Sequence, residues 1–411
     1  MAIAGKNSAL KNTDKLTKEA LMQYENSLVV ASKIDWKWGN EIGRAAAKIG
    51  DRVSIRLPFA NSVRRNSMAY NAAAAVDRVV ILTVDQVFGQ DLTMSDADFS
   101  LSVEDFYNRY MKTGMSYMVS EFDAYVYGVI VNGTANTVGQ YNVDLNSATI
   151  LKAKRILQDS ACPEDGQIFG VLAPSQNEKL ANYQSTLFNS SKAISKMYET
   201  GRIGEFAGVE WAISQSAPTH TDGTWTGVAS TTVTLTSGSD WAETSTISVN
   251  GFTAGATLNI GDVFTLSGAY AVNPLTKAKL PTLKQFVVTT AVTSATATAQ
   301  AVVFAPALVA DGAFQNVQLT STSSKLIAYS TSGTEGQDGL VWHRSAVGGA
   351  SPELKVPEGT DKAFAEKDME TGLAIRYVSD FASTSGEFIN RIDSFAGAKV
   401  LNPDFCCRIR G

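Results

Sequence analysis

The residue types best suited to nucleophilic, acid–base or metal chemistry are scarce in this chain. Two histidines and three cysteines are present: His220, His343, Cys162, Cys406 and Cys407. They lack the paired spacing of a zinc site, and no cysteine lies near His220 in sequence to act as a nucleophile. The pattern around His343 indicates a buried segment, which favours a structural histidine over a general base. We therefore predict no catalytic residue, no metal and no cofactor.

Motifs for other chemistries are also absent from the sequence. It contains no P-loop, no glycine-rich dinucleotide motif after a strand and no nucleophile elbow. The acidic stretch from Asp91 to Asp98 lacks the central glycine and closing glutamate of a calcium loop. Cys406 and Cys407 should alternate between core and surface along a terminal strand, as ordinary reduced thiols.

The composition is that of a folded protein without a strong preference for nucleic acid. The chain has 411 residues, 44% hydrophobic and 18% charged, which leaves room for two or three domains with a sizeable core. The formal net charge is −5 and no run of Lys and Arg stands out, so a dedicated nucleic-acid binder is not expected. No long apolar stretch and no hydrophobic signal core is present. We expect no membrane span, and a protein that works in the cytosol or leaves it by a route other than secretion.

The element around which the others are organised is a long helix predicted from Ser102 to Gly133. Apolar residues recur at steps of three or four and form one stripe that includes Met111, Met118 and Phe122. Ser102 begins the helix with a capping-box-like pattern, and Gly133 ends it as a left-handed stop. We expect the stripe to pack in the core rather than to form a cofactor slot.

A projecting β-hairpin is predicted before this helix. Residues Arg52 to Leu57 alternate between polar and apolar, and a second strand runs from Arg78 to Phe88. A two-stranded hairpin buries too little surface to be stable alone, so it should lie on a neighbouring molecule. Arg64 and Arg65 near its tip could pair with carboxylates there, the alternative being a solvated tip.

The N-terminal residues are expected to form an arm that a partner orders. Trp36 and Trp38 follow a short amphipathic helix and are two residues apart. Two tryptophans so close suggest that the arm docks against an apolar surface, and plain core packing is the alternative.

The composition changes sharply after Ala217. No arginine occurs from there to Asp338, and Thr, Ser, Ala and Gly dominate. Short alternating runs are separated by turns such as Asn250-Gly251, and Asn-Gly between such runs is a strong hairpin signal. We interpret this segment as a small all-β barrel or sandwich inserted into an α/β domain, which resumes with a strand from Gly339 that runs into a helix.

In this order, the elements resemble those of the major capsid proteins of tailed bacteriophages, with the Hong Kong ninety-seven-type fold. The C-terminal part is similar too, in Gly372 to Tyr377, Arg391 to Asp393 and Leu401 to Asp404. Within that group, the β-rich segment looks like the insertion domain of the coat proteins of short-tailed Salmonella-type phages. The most specific match is Leu258 to Gly268, followed by Gln285 to Val288. The likeness covers nearly the whole chain.

The resemblance implies an α+β phage major capsid fold with an inserted all-β barrel. Its expected parts are an N-terminal arm (residues 1–50), an extended loop hairpin (51–90), a peripheral domain with a spine helix (91–146), the first part of an axial domain (147–216), the inserted barrel (217–338), and the return to the axial and peripheral domains (339–411).

The resemblance also implies contacts between subunits on three elements. The family's barrel carries a long loop across local two-fold contacts, and the equivalent here, Ser237 to Ser245, is short. The polar hairpin tip from Ser379 to Gly386 corresponds to the family's three-fold contact. There are six candidate contact residues, two on each element: Arg64 and Arg65 on the extended loop, Asp240 and Glu243 on the short barrel loop, and Asp380 and Glu387 at the hairpin tip.

The implied function is that of a structural coat protein and not of an enzyme. Copies would form the hexamers and pentamers of an icosahedral shell in the bacterial host cytoplasm, with scaffolding protein and portal as partners during assembly. The virion capsid would enclose double-stranded DNA without sequence-specific binding, which suits a mildly acidic chain. Two alternatives remain open: a β-rich host-recognition or adhesive protein, and an encapsulin-like compartment shell.

Overall fold

The protein is described from a computed structural model. The described residues are 13–40, 52–58, 78–95, 112–185, 204–225, 233–234, 241–250, 252–294, 299–321, 323–330, 332–357, 362–368, 371–382, 384 and 386–411. The residues singled out above that lie outside this part of the chain include Arg64, Arg65, Ser102, Met111, Ser237 and Asp240.

The described α-helices are α1 (Thr13–Ser27), α2 (Lys112–Gly133), α3 (Ser147–Asp159) and α4 (Pro174–Ser185). The described strands are β1 (Arg52–Leu57), β2 (Arg78–Thr83), β3 (Gln86–Ser95), β4 (Thr137–Val138), β5 (Ile168–Leu172), β6 (Glu205–Phe206), β7 (Val209–Ile213), β8 (Thr219–Thr221), β9 (Val233–Thr234), β10 (Ser245–Val249), β11 (Thr257–Leu258), β12 (Val263–Val272), β13 (Lys279–Val288), β14 (Val292–Thr293), β15 (Gln300–Ala305), β16 (Val317–Leu319), β17 (Ser323–Ser324), β18 (Leu326–Ala328), β19 (Glu335–His343), β20 (Val347–Ala350), β21 (Lys362–Lys367), β22 (Ala374–Ala382), β23 (Glu387–Val400) and β24 (Cys406–Arg410). None of the described helices is long and apolar enough to span a bilayer.

The chain divides into two compact units. The first contains Met1–Ser54, Ile81–Tyr127 and Val347–Lys399, and the second contains Ile55–Val80, Gly128–Ala346 and Val400–Gly411. The main sheet of the first unit has five strands in the order β20-β23-β22-β21, with β3 also paired to β23. The long strand β23 is the centre of this sheet because it pairs antiparallel with both β22 and β3.

Phe122, fully buried on α2, lies at the centre of an aromatic core in the first unit. The rings of Tyr24 and Trp36 are each 5.4 Å from it, and the ring of Phe88 is 5.1 Å away, edge-on. Trp36 also donates its indole N–H to a backbone carbonyl at 2.7 Å. Trp38, two residues on, is only half-buried. The closely spaced tryptophans therefore have different environments.

One sheet of the second unit has seven strands. Its order is β4-β24-β19-β5-β7-β6, with β8 also paired to β19. The strands β24 and β19 are antiparallel, whereas β24 and β4 are parallel. On one face, Ile150 and Leu157 of α3 share a buried core with Cys407 and Ile409 of β24. The C-terminal strand is thus interior, and all five of its residues are buried.

A second sheet of the same unit is antiparallel and built from residues after Ala217. It has six strands in the order β10-β15-β13-β12-β16, with β18 also paired to β12. Its own core contains a cluster of three phenylalanines, Phe264, Phe286 and Phe304, with ring centroids 5.0 to 5.7 Å apart. The alternating runs of the sequence predict these strands because alternate residues face this core.

The long helix differs from its prediction at its end. It is described from Lys112, and Met118 lies on its buried face. Gly133 ends it as expected but does not adopt a left-handed conformation. A Cβ at this position would lie 2.7 Å from Cγ2 of Val400, so close packing is what requires a glycine here.

Three predictions of secondary structure were wrong. The hairpin tip expected from Ser379 to Gly386 is shorter, because Ser379 to Ala382 belong to β22 and pair with β23. The strand expected from Arg78 to Phe88 is two strands, because β2 pairs with β1 whereas β3 pairs with β23. The helix expected after the strand from Gly339 is a single 3-10 turn followed by β20. Two glycines make a helix unfavourable there, and a Cβ on Gly349 would lie 2.4 Å from the ring of Trp36.

The prediction for Cys406 and Cys407 was also wrong. Both side chains are buried, since β24 has strands on both sides and packed residues on both faces. Neither thiol therefore lies at the surface, whereas the alternation along the strand predicted that one of them would.

Candidate functional site

The hairpin formed by β22 and β23 carries two of the residues proposed as subunit contacts. Asp380 is exposed and Glu387 is half-buried, and their strand partners are Ile389 and Ala382. Asp380 accepts a hydrogen bond from the N–H of Phe381 at 2.9 Å. Among the described residues, neither carboxylate pairs with a cation. Both acids lie near the same end of this hairpin.

The stem of this hairpin is held by a buried carboxylate. Asp393 is fully buried and accepts hydrogen bonds from the guanidinium groups of Arg376 and Arg391, the latter at 2.7 Å. The hydrogen bond and charge of Asp393 raise the pKa of Arg391. Removing one partner from a buried pair of this kind is costly, because it leaves an uncompensated charge. The hydrogen bond from Arg376 to Asp393 joins β22 to β23 in the stem of the hairpin.

The remaining contact candidates are only partly placed. Glu243 is exposed, two residues before β10. Asp240, on the same short loop, lies outside the described residues, as do Arg64 and Arg65. Of the contact candidates that it describes, the structure brings together Asp380 and Glu387.

The two-stranded sheet of β1 and β2 has one buried and one exposed face. Val53 and Ile55 of β1 are buried, and exposed residues alternate with them. On β2, Val79 and Ile81 are 37% and 45% exposed. Apolar side chains on an exposed strand face are a feature of surfaces that other molecules cover. Sequence alternation predicts the two faces, but not that the outer one carries apolar residues.

The side chains best suited to catalysis are engaged or shielded. His343 forms a hydrogen bond through Nε2 with Asp165 at 3.0 Å and another through Nδ1 with Ser345 at 2.7 Å. Burial raises the pKa of the Cys162 thiol to about 12, and burial also raises the pKa values of Cys406 and Cys407. Thiols with raised pKa values are poor nucleophiles at neutral pH.

The structure brings together one group that sequence spacing does not indicate. Nε2 of His220 lies 3.0 Å from Asp262 Oδ1 and 3.3 Å from Asp222 Oδ1. The imidazole is 10% exposed and both aspartates are buried. A histidine with two carboxylates at such distances could hold a metal ion.

In the described residues, the geometry thus consists of exposed strand and hairpin residues on well-packed sheets, with one buried cluster of His220, Asp222 and Asp262. A sequence model of the family described as P22 coat protein, gene protein 5, matches residues 7–409. The chain belongs to the P22 coat protein family. It is accordingly a phage major capsid protein, a structural subunit of the icosahedral shell.

Several solved structures are similar to this coat protein at low identity. A chain of Mycobacterium phage Che8 is 12% identical with a TM-score of 0.46, covering 93% of this chain and 90% of that one. A chain of the capsid of cyanophage P-SCSP1u is 12% identical with a TM-score of 0.43, covering 88% and 84%. A chain of the SrpI encapsulin complex of Synechococcus elongatus is 9% identical with a TM-score of 0.40, covering 82% and 77%. No curated protein matches the coat protein significantly.

Sequence reasoning missed the charged residues buried in β24 of the coat protein. Arg408 and Arg410 are 0% and 1% exposed, and both contact Asp338 of β19. Arg410 also contacts Asp222, which is 188 residues away in sequence. The available signal was the alternation of arginine with Cys407 and Ile409, which on its own indicates a solvated face.

Proposed function

We propose that this coat protein assembles into hexamers and pentamers that enclose phage double-stranded DNA without binding a particular sequence. The observation that carries the proposal is the family match over residues 7–409. The net charge of −5 supports it, since an acidic subunit does not grip the phosphates it surrounds. Assembly in the host cytoplasm would involve a scaffolding protein and a portal.

We assign residues 217–338 to an inserted β-barrel domain, as in the coat proteins of short-tailed Salmonella-type phages. Support comes from the six-stranded sheet with its separate phenylalanine core. The two ends of the segment are also adjacent, because His220 of β8 pairs with Gly336 of β19. Adjacent ends are what an insertion needs if the parent domain is to remain continuous.

Residues 51–90 are assigned to an extended loop that lies on a neighbouring subunit. The pairing of β1 with β2 and the exposed apolar residues Val79 and Ile81 support this role. Arg64 and Arg65 would then pair with carboxylates of the neighbour. Each such contact is weak, and a closed shell makes them effective by repeating them many times.

The remaining contacts are assigned by analogy with the family. Asp380 and Glu387 would meet neighbouring subunits at three-fold positions, a role supported by the lack of an intramolecular cation partner for either in the described residues. Asp240 and Glu243 would contribute to two-fold contacts. The parts of the fold keep the boundaries proposed above for the arm, the peripheral domain and the axial domain.

The decisive experiment is expression of the chain in bacteria, alone and with a candidate scaffolding protein. Sedimentation and negative-stain electron microscopy should show uniform closed shells in at least the second condition. Protein that stays small in both conditions would contradict the proposal. Closed shells that contain a packaged enzyme, where a virion would contain DNA, would favour the encapsulin-like alternative.

A further inference from the structure

His220 lies at one end of a buried network of charged side chains in the second unit. Its Nε2 is 3.0 Å from Asp262 Oδ1 and 3.3 Å from Asp222 Oδ1. Arg410 donates to both carboxylate oxygens of Asp222, at 3.2 and 3.3 Å. The network therefore runs from β8 across to the C-terminal strand β24.

The far end of the network is centred on Asp338, which is fully buried. Arg410 Nε donates to its Oδ1 at 3.1 Å, and Arg408 Nη1 lies 3.5 Å from its Oδ2. The hydroxyl of Tyr141 donates to Oδ1 at 2.9 Å. Burial and the charge of Asp338 raise the pKa of Tyr141, so this residue stays neutral.

The charges of this network balance when His220 is protonated. Three carboxylates, those of Asp222, Asp262 and Asp338, face two guanidinium groups, those of Arg408 and Arg410. With a neutral imidazole, one negative charge remains in a buried site, where an uncompensated charge is costly. A proton on His220 removes that charge.

The position of Asp262 is fixed by backbone groups. Its Oδ2 accepts the N–H groups of Gly223 at 3.0 Å and of Asn259 at 2.7 Å. Oδ1 is thereby directed towards His220. The carboxylate is thus oriented for the imidazole by the turn that carries it.

A divalent metal fits this site less well than a proton does. Both oxygens of Asp222 already accept hydrogen bonds from Arg410. In addition, Nε and Nη2 of Arg408 and Nη2 of Arg410 have no acceptor among the described residues. The site therefore contains buried guanidinium N–H groups without acceptors in the described part of the chain. A divalent cation would bring one more positive charge than a proton, and the guanidinium groups would repel it.

We propose that His220 is a proton-binding site that couples β8 and the turn before β12 to the C-terminal strand, so that the stability of the folded subunit depends on the protonation of this one imidazole. The proposal concerns the folded chain itself and is independent of shell assembly.

The direction of the pH dependence follows from the surroundings of His220. Burial lowers the pKa of His220, but the hydrogen bonds to Asp222 and Asp262 outweigh burial and raise this pKa above the ordinary value of 6.5. A group whose pKa is higher in the folded state stabilises the fold fully below its unfolded pKa and loses that effect as pH rises through the folded pKa. The pKa of Asp222 is lowered, although burial alone would raise it, because His220 and Arg410 favour its charged form. Its contribution is lost only in acid. The buried thiols, whose pKa values are also raised, lower stability only as pH rises through their unfolded pKa of about 8.5, so the loss between about pH 6 and about pH 8 belongs to His220.

The test uses the full-length chain kept unassembled at low concentration. Histidine-selective isotope labelling and NMR give the pKa of His220 directly, because the chain has two histidines and a His343→Gln variant assigns the signals. We expect a pKa above 6.5 for His220. The urea midpoint of the unsubstituted chain should fall between about pH 6 and about pH 8, below the range in which unfolded thiols ionise, and His220→Gln should remove most of that fall.

The site loses its assigned role if the imidazole does not titrate as expected. An NMR pKa at or below 6.5 would overturn the proposal, as would a pH dependence that His220→Gln leaves unchanged. If His220→Gln fails to fold, the NMR titration of the unsubstituted chain decides alone. A urea midpoint that rises with added Zn²⁺ and returns with chelator, in the unsubstituted chain but not in His220→Gln, would replace the proton site with a metal site.

Discussion

Gln285 and Thr137 form two hydrogen bonds that imitate one step of a β-ladder. The side-chain amide of Gln285 donates to the Thr137 carbonyl at 2.9 Å, and its oxygen accepts the Thr137 N–H at 2.7 Å. Gln285 belongs to β13 of the six-stranded sheet, whereas Thr137 begins β4 of the seven-stranded sheet. The side-chain amide of Asn273 donates a further hydrogen bond to the carbonyl of Asp159 at 3.0 Å. Side-chain amides thus tie the proposed inserted domain to its parent.

Replacing Gln285 by alanine should destabilise the second unit. Both hydrogen bonds are lost and the buried backbone groups of Thr137 are left unpaired, so we expect a cost of about 2 kcal/mol. Urea unfolding of the unassembled chain measures it, and Gln140→Ala, at an exposed glutamine, is the matched control. Equal midpoints for the two variants would show that this bridge contributes nothing.

Two glycines of α2 should respond in opposite directions to alanine. Gly128 has open space around its Cβ position, so Gly128→Ala should stabilise the helix by up to about 1 kcal/mol. At Gly133 the new methyl would lie 2.7 Å from Val400, so Gly133→Ala should destabilise by roughly 1–2 kcal/mol. Thermal unfolding distinguishes them. Adding Val400→Ala should recover part of the loss at Gly133, and no recovery would mean that the contact is not its cause.

Local patterns in the sequence predict elements whose partners are also local. The alternation of β1 predicts its two faces, and the turn chemistry after Ala217 predicts an antiparallel sheet, because both depend on neighbouring residues. The break between β2 and β3 was missed since it depends on two distant strands, β1 and β23.

The buried charged residues could not be predicted from local sequence patterns for the same reason. Arginines that alternate with apolar residues in a strand ordinarily face solvent. Arg410 is buried because Asp338 and Asp222, 72 and 188 residues away in sequence, neutralise it. Likewise, nothing near His220 in sequence reveals that Asp262 lies against it. Contacts of this kind appear only once the topology is known.

Asp123 should prove important for holding the segment after α1. This buried carboxylate on α2 accepts the backbone N–H groups of Val29, Val30 and Ala31, the last at 2.8 Å. Burial raises the pKa of Asp123, and these three bonds partly offset that effect. We expect Asp123→Ala to cost about 3 kcal/mol, and Asp123→Asn to cost less because one oxygen still accepts.

Hydrogen exchange gives the specific measurement for Asp123. Amides at residues 29–31 should exchange much faster in Asp123→Ala, whereas Glu121→Ala, at an exposed position of the same helix, should leave them protected. Unchanged protection in Asp123→Ala would mean that packing around Phe122 alone holds the segment.

Charge reversal at the β22–β23 hairpin should separate assembly from folding. Asp380 and Glu387 have no cation partner among the described residues, so Asp380→Lys with Glu387→Lys should change the free energy of unfolding by less than about 0.5 kcal/mol. If both acids contact neighbouring subunits, the same variant should form fewer shells, or shells that dissociate at lower urea.

Asp393→Asn, in the same strand as Glu387, provides the contrast, because it breaks buried pairs with Arg376 and Arg391 and should destabilise the isolated chain. Sedimentation of shells over a urea series, beside unfolding of the unassembled chain, measures both effects. Shells of the double variant that match the unsubstituted ones in yield and urea resistance would remove this hairpin from the contacts between subunits.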